Sequence, residues 1–199
     1  MGLNHHPEIS LHNYSFHKIL EPFNKKDWES LSNIINDSMK KLASIGADFA
    51  IIPANSVHFA FKEIEKNSPI PVLSIVEIAA KECKGKNYKK VCVLGVGMTM
   101  SDGLFNQQLS HYGITPIIPL KGEQKIVNEV IYNIVTAKVT DKSIKKIVDI
   151  ISSLKEKGCY AVILGCTELP LIIDRNNSPL PFINTTRLLA IKAPDYSLK

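Results

Sequence analysis

The chain has 199 residues, 45% of them hydrophobic and 22% charged, and carries a formal net charge of +5. That supplies enough apolar material for one sizeable core or two small lobes sharing one, while no run approaches the roughly 18–20 apolar residues that a membrane helix needs. The basic excess lies in scattered lysines without interleaved aromatics, which excludes a nucleic-acid motif and is compatible with a small anionic ligand.

The opening M-G-L-N-H-H-P-E-I-S has no apolar segment of a secretory leader, so a cytoplasmic protein is expected. Residues 8–14, E-I-S-L-H-N-Y, read as a strand, followed by a helix over 27–45. F-A-I-I-P reads as a strand, 57–66 as a helix, P-V-L-S-I as a strand and 76–84 as a helix. Then come a strand at K-K-V-C-V-L-G-V, a helix over 102–112, a strand at T-P-I-I-P, and helices over 123–136 and 141–157. Y-A-V-I-L-G and P-L-P-F-I-N are strands, and T-T-R-L-L-A-I-K-A is a closing helix. Strands alternating with helices predict parallel β-α-β units, and the apolar runs are continuous, as in strands buried on both faces.

An internal repeat organises these elements. L-A-S-I-G-A-D-F-A-I-I-P-A-N-S (42–56) aligns without a gap on L-K-E-K-G-C-Y-A-V-I-L-G-C-T-E (154–168). Downstream, N-S-P-I-P-V-L-S-I-V-E (67–77) aligns on N-S-P-L-P-F-I-N-T-T-R (177–187). Each copy is a helix end, a capping glycine, an apolar strand and a polar tripeptide. The expected architecture is therefore α/β: two pseudo-twofold-related lobes, residues 1–86 and 87–199, with parallel sheets, flanking helices and a ligand cleft between them. The closing helix is available to pack on the first lobe. By this symmetry the first lobe lacks a leading strand and helix of roughly 30 residues.

Ligands of open parallel sheets bind beyond the carboxyl ends of the strands, where P-A-N-S and G-C-T-E both fall. Asn55, Ser56 and Thr167 offer donors there for a carboxylate, and equally suit plain N-capping. The four cysteines, Cys83, Cys92, Cys159 and Cys166, form no C-x-x-C pair and no zinc spacing, so free thiols and no metal are expected. Cys166 stands apart, because a thiol at a helix start has its thiolate favoured by nearby N–H groups, making it a base or nucleophile. Glu168 reads as a tuning group for that thiol or a first-turn carboxylate. His58 reads as a spare acid or as a capping residue.

The chain resembles the aspartate/glutamate racemases that work without pyridoxal phosphate. The resemblance rests on I-S-L-H-N-Y-S-F-H-K-I, on P-A-N-S-V-H in place of C-N-T-x-H, on M-T-M, on E-Q-K-I-V-N-E-V-I-Y and on I-L-G-C-T-E-L-P-L-I. It implies a cofactor-independent two-base mechanism, with one cysteine per lobe on opposite faces of a substrate α-carbon. Carried over, Cys166 is one base and Ala54 occupies the place of the other. Asn55, Ser56 and Thr167 map to substrate-holding positions, and Thr99 to a pocket-side threonine. A small anionic amino acid or related carboxylate is the implied partner, and a homodimer the implied assembly. Gly95-Val96 departs from the Gly-Thr common in relatives. With Ala54 unable to carry a proton, the expectation is a racemase-type protein whose racemisation is impaired or lost. The alternatives are an arylmalonate-type decarboxylase with Cys166 as sole proton donor and a non-catalytic binding or pathway-accessory relative.

Overall fold

The computed structural model describes residues 7–198, so most of the opening stretch read for a leader lies outside the described residues. The chain divides into two compact units. The first comprises Met1–Pro53, Val57–Ile75 and Leu189–Lys199; the second comprises Ala54–Ser56 and Val76–Leu188.

In chain order the elements are α1 (Phe16–Asn24), α2 (Trp28–Ser44), β1 (Ala50–Ile51), α3 (Phe61–Asn67), β2 (Val72–Leu73), α4 (Ile75–Gly85) and β3 (Lys90–Leu94). Next along the chain are α5 (Gly97–Ser101), α6 (Asn106–His111), β4 (Thr115–Ile117), α7 (Lys121–Val135) and α8 (Asp141–Glu156). The series closes with β5 (Ala161–Leu164), β6 (Phe182–Asn184) and α9 (Thr185–Ser197). All strand pairs are parallel, so the protein is α/β with parallel sheets and flanking helices.

The second unit holds a four-stranded sheet in the order β4-β3-β5-β6. Val91–Leu94 and Ala161–Leu164 are buried throughout, which is why these runs are uniformly apolar rather than alternating. Cys92, Leu94, Val162 and Leu164 share one core with Val127, Val130 and Ile131 of α7 and Ile147, Ile150, Ile151 and Leu154 of α8. The spacing of three and four in both helices aligns those side chains into one stripe. Each such aliphatic side chain contributes about 1.5–3 kcal/mol by leaving water. A reciprocal cap starts α8: Ser143 N–H donates to Thr140 Oγ1 at 3.3 Å and Thr140 N–H to Ser143 Oγ at 2.8 Å.

The duplicated segments fold alike, bond for bond. Gly46 and Gly158 come just after their helices at φ +90° and +84°, a backbone shape that glycine adopts without strain. Ala47 N–H donates to Leu42 O, as Cys159 N–H does to Leu154 O. Ala50 N–H donates to Pro71 O at 2.8 Å and Val162 N–H to Pro181 O at 2.9 Å. Ser68 Oγ caps Ile70 O and Ser178 Oγ caps Leu180 O, both at 2.6 Å.

Three expected elements differ. Residues 8–14 form no strand. Their counterpart in the repeat, β4, is a strand by pairing with β3, and among the described residues nothing equivalent to β3 pairs with residues 8–14. Side chains tether that segment to α2 instead: His12 Nδ1 hydrogen-bonds Ser38 Oγ at 2.9 Å, Tyr14 donates to Asp37, and Lys41 Nζ donates to Tyr14 at 2.8 Å. Of the helix expected over 102–112 only α6 forms: residues 102–105 are a turn that includes Gly103, at φ +69°, and α5 ends before them. The stretch expected as helix over 57–66 opens as a tighter 3-10 turn, Ser56–Ala60, before α3. The helix α1 has no counterpart among the expected elements.

Candidate active site

Three strands of the second unit end in a single row. Leu94 of β3 pairs with Leu164 of β5, which pairs with Asn184 of β6. One residue further on lie Gly95, Gly165 and Thr185, so three loops leave the sheet side by side at its carboxyl edge. Gly165 N–H donates to Leu94 O at 2.7 Å, holding the first two together. Cys166, Thr167 and Glu168 come directly after Gly165.

The Ala54–Ser56 tripeptide belongs to this same unit. Asn55 Nδ2 donates to Thr185 Oγ1 at 3.1 Å, and Thr185 Oγ1 donates to Leu164 O at 3.0 Å. This two-bond relay fastens the tripeptide to the end of β5, two residues before Cys166. Thr185 opens α9 and is almost wholly buried. Sequence reasoning passed over it; the signal available was the paired Thr185-Thr186 at the start of a helix directly after a strand.

Thr99 sits in α5 against both glycines. A β-carbon on Gly95 would come within 2.8 Å of Thr99 Cγ2, and one on Gly165 within 3.3 Å of it. The close approach of these loops therefore requires glycine at both positions. Asn128 of α7, also unanticipated, accepts from Gly97 N–H at 3.1 Å and pins the first residue of α5. Thr99 is 1% exposed, yet its Oγ1 has no hydrogen-bond partner, and neither do Asn55 Oδ1 and Thr186 Oγ1. Buried polar atoms are rarely left without partners. These three are available to a bound molecule or to water.

Cys166 is 8% exposed and packs into the α7/α8 core. Its Sγ donates to Glu168 Oε2 at 2.9 Å, and Thr167 Oγ1 donates to the same oxygen at 2.8 Å. The expectation of a stabilised thiolate is corrected here. The only helical segment after Cys166 in this loop is a single 3-10 turn, Leu169–Leu171, with little dipole to offer. The N–H groups of Glu168 and Thr167 do pull the thiol pKa down, but burial, and then the hydrogen bond and negative charge of Glu168, outweigh them and push it up to about 12. At neutral pH the group is a thiol holding its proton toward a carboxylate.

Of the other expected positions, Ala54 is half-buried, Ser56 opens the 3-10 turn, and Thr167 is exposed. His58 is buried in the first unit; its Nε2 accepts from Ile75 N–H, the first residue of α4, at 3.2 Å, and its ring stacks on Phe61 at 5.0 Å. That is the capping reading of His58. Among the described residues no three His, Cys, Asp or Glu side chains are grouped to hold a metal, and no helix is long and apolar enough to cross a membrane.

A family model described as Asp/Glu/Hydantoin racemase matches residues 1–193. The chain belongs to that family. It is similar to the broad specificity amino-acid racemase RacX of Bacillus subtilis, 28% identical over 164 residues, which cover 82% of this chain and 71% of that relative. It is 26% identical to a glutamate racemase of Persephonella marina over 82% of this chain, and spans 62% of that relative's length. Among solved structures, a candidate Asp/Glu racemase from Yersinia pestis superposes with a TM-score of 0.92 at 27% identity, covering all of this chain and 87% of that one.

Proposed function

We propose that this chain binds a small amino acid or related carboxylate and exchanges the proton on its α-carbon from one face, through Cys166. The observation that carries the reading is the buried Cys166 thiol held at 2.9 Å from Glu168 at the carboxyl edge of the sheet, while the companion loop presents Ala54. A methyl group neither gives nor takes a proton, so the two-sided transfer that inversion needs has only one side. The names of the relatives, amino-acid racemase and glutamate racemase, support an α-amino acid as the ligand class. The unpartnered Thr99 Oγ1 and Asn55 Oδ1 suit its polar groups, with Ser56 and Thr167 beside them.

In this reading Glu168 takes the thiol proton as the ligand settles, and the thiolate removes the α-proton. A solvent-derived proton then returns along the same path, and the configuration is retained. The carbanion has no cofactor to delocalise it, so the surrounding donors must stabilise it.

The test is NMR of aspartate and glutamate enantiomers incubated in D₂O, with chiral analysis. One enantiomer incorporates deuterium slowly with retention, Cys166→Ala abolishes this, and Ala54→Cys adds inversion. Supplying the second positioned acid is worth about 10²–10⁴-fold in rate. Inversion by the native chain, or exchange surviving in Cys166→Ala, overturns the proposal. Demonstrated binding without exchange favours the accessory reading instead, and carbon dioxide release from an arylmalonate favours the decarboxylase reading. Self-association would cover the side chains that the first unit leaves exposed, with Ile9 and Leu11 at 83% and 87%; light scattering at micromolar concentration reads it.

A further inference from the structure

The net charge of the chain is not shared between its two units. The first carries nine lysines against nine acids, and the second 15 lysines and arginines against 10 acids, so the whole formal charge of +5 falls on the second. Within that unit the fold gathers lysines that lie apart in sequence. The end of α4 runs into K-G-K-N-Y-K-K (84–90) and the end of α8 into K-E-K (155–157), and the two stretches lead into β3 and β5. Those strands start side by side: Val91 pairs with Ala161, and Tyr160 N–H donates to Lys90 O at 2.8 Å. Lys90 Nζ donates to Lys157 O at 3.2 Å and fastens one turn to the other. Lys84, Lys86, Lys89, Lys90, Lys155 and Lys157 thus stand at the amino edge of the sheet, the end opposite Cys166. Glu82 and Glu156 are the only acids in stretches 82–90 and 155–157, which leaves an excess of four positive charges there.

All of these lysines except the half-buried Lys90 are exposed. Among the described residues only Lys86 of the six is ion-paired, with Glu82 at 3.4 Å. Lys84 and Lys155 lie in the last turns of their helices, where a cation complements the helix dipole. Lys86, Lys89 and Lys157 lie beyond the helices and have no such role. Tyr160, 54% exposed, stands among them and is the one large hydrophobic side chain exposed there. The chemistry of the patch narrows its partner. Lysine is depleted from protein–protein interfaces, whose centres are apolar. Single-stranded nucleic acid asks for a series of aromatic platforms, and one tyrosine is not that. A layer of anionic headgroups asks only for clustered, flexible cations, and tyrosine is a side chain that settles at headgroup level.

We propose that this amino edge is a docking surface for an anionic lipid bilayer, held by the lysines with Tyr160 at headgroup depth. The contact is peripheral: the cations lie against the headgroups, no segment crosses the hydrocarbon, and salt weakens the attachment. The loop of Cys166, at the far end of β5, points away from the bilayer. The docking is therefore independent of what that thiol does.

The full chain is sedimented with vesicles of phosphatidylcholine alone and with vesicles of phosphatidylcholine and phosphatidylglycerol in equal parts. At low salt it binds the mixed vesicles and not the neutral ones, and about 0.5 M salt releases it, because screening then acts within a few ångströms. Lys86→Gln, Lys89→Gln and Lys157→Gln together lower the partition coefficient about a hundredfold, at about fivefold per lysine. Lys142→Gln, Lys145→Gln and Lys146→Gln remove the same charge from exposed positions at the other end of α8 and lower it by less than about tenfold, since the attraction fades within a Debye length. Both triples keep the native circular dichroism, because exposed lysines carry little of the stability. Tyr160→Ser weakens binding without changing its dependence on salt. No binding to the mixed vesicles at low salt, equal binding to neutral ones, or equal losses in the two triples overturns the proposal. Capture on polyglutamate under conditions where the mixed vesicles leave the chain in solution also overturns it, and assigns the patch to an acidic protein instead.

Discussion

Replacing Glu168 with glutamine tests how the thiol is held. Cys166 stands at about 12 against an ordinary 9.0, raised first by burial and then by the Glu168 hydrogen bond and charge. Each pKa unit is tenfold in thiolate, so the native group carries about a thousandth of the thiolate of an ordinary cysteine, a difference of about 4 kcal/mol between its two forms. Glutamine keeps the acceptor oxygen and the shape and removes the charge. Burial persists, since Cys166 remains in the α7/α8 core. The expected gain in thiolate is therefore about tenfold, well short of a thousandfold. The assay is the rate of Cys166 alkylation by iodoacetamide between about pH 7 and 9, read on its peptide by mass spectrometry. Steric access is nearly the same in both proteins, so the ratio of rates reports the charge. An unchanged rate would mean that Glu168 does not hold the proton. A gain near a thousandfold would mean that burial is not the leading cause.

Thr185→Val keeps the volume but leaves Asn55 Nδ2 without its acceptor and Leu164 O without its donor; a loss of about 1–3 kcal/mol in urea unfolding is expected, against about 0.5 or less for the exposed Thr167→Val. Gly165→Ala places a β-carbon 3.0 Å from Phe105 and 3.1 Å from Leu94 O, costing about 1–3 kcal/mol, whereas Gly85→Ala, with open space around it and an ordinary helical φ, gains about 0.5–1 kcal/mol. Alkaline stability depends on Cys83 and Cys166, both raised to about 12 in the folded state from 9.0. Between those values the unfolded chain binds fewer protons, so stability falls as pH rises above 9.0, by at most about 1.4 kcal/mol per unit for each thiol. Denaturant titrations at rising pH show this slope, and Cys83→Ala removes its share of it.

The parallel sheet and the glycine-capped repeat were legible because they rest on local chemistry: continuous apolar runs, Gly46 and Gly158 ending helices, and prolines that end one strand's approach. The strand expected at residues 8–14 failed because a strand is a property of a pair, and its pattern says nothing about whether a partner exists. In the site, Cys166, Asn55 and Thr99 could be named from loop position and resemblance. Thr185 and Asn128 could not, since their roles are hydrogen bonds to residues 130 and 31 positions away in sequence. The charge state of Cys166 was misjudged because burial depth and the Glu168 rotamer are tertiary facts.

The twin hydrogen bonds of the repeat offer a comparison inside one chain. Ala50 N–H and Val162 N–H occupy equivalent places, and each donates to an equivalent proline carbonyl. Their ladders differ. β1 and β2 pair at only two positions, Ala50 with Val72 and Ile51 with Leu73, whereas β5 is clamped between β3 and β6. Amide exchange with solvent deuterium measures the opening of each ladder rather than the bond itself. The Ala50 amide escapes through fraying of a two-rung ladder, while that of Val162 waits for the central sheet to come apart. Bonds of near-identical length in the two copies of one duplicated segment thus lose their protons on separate timescales.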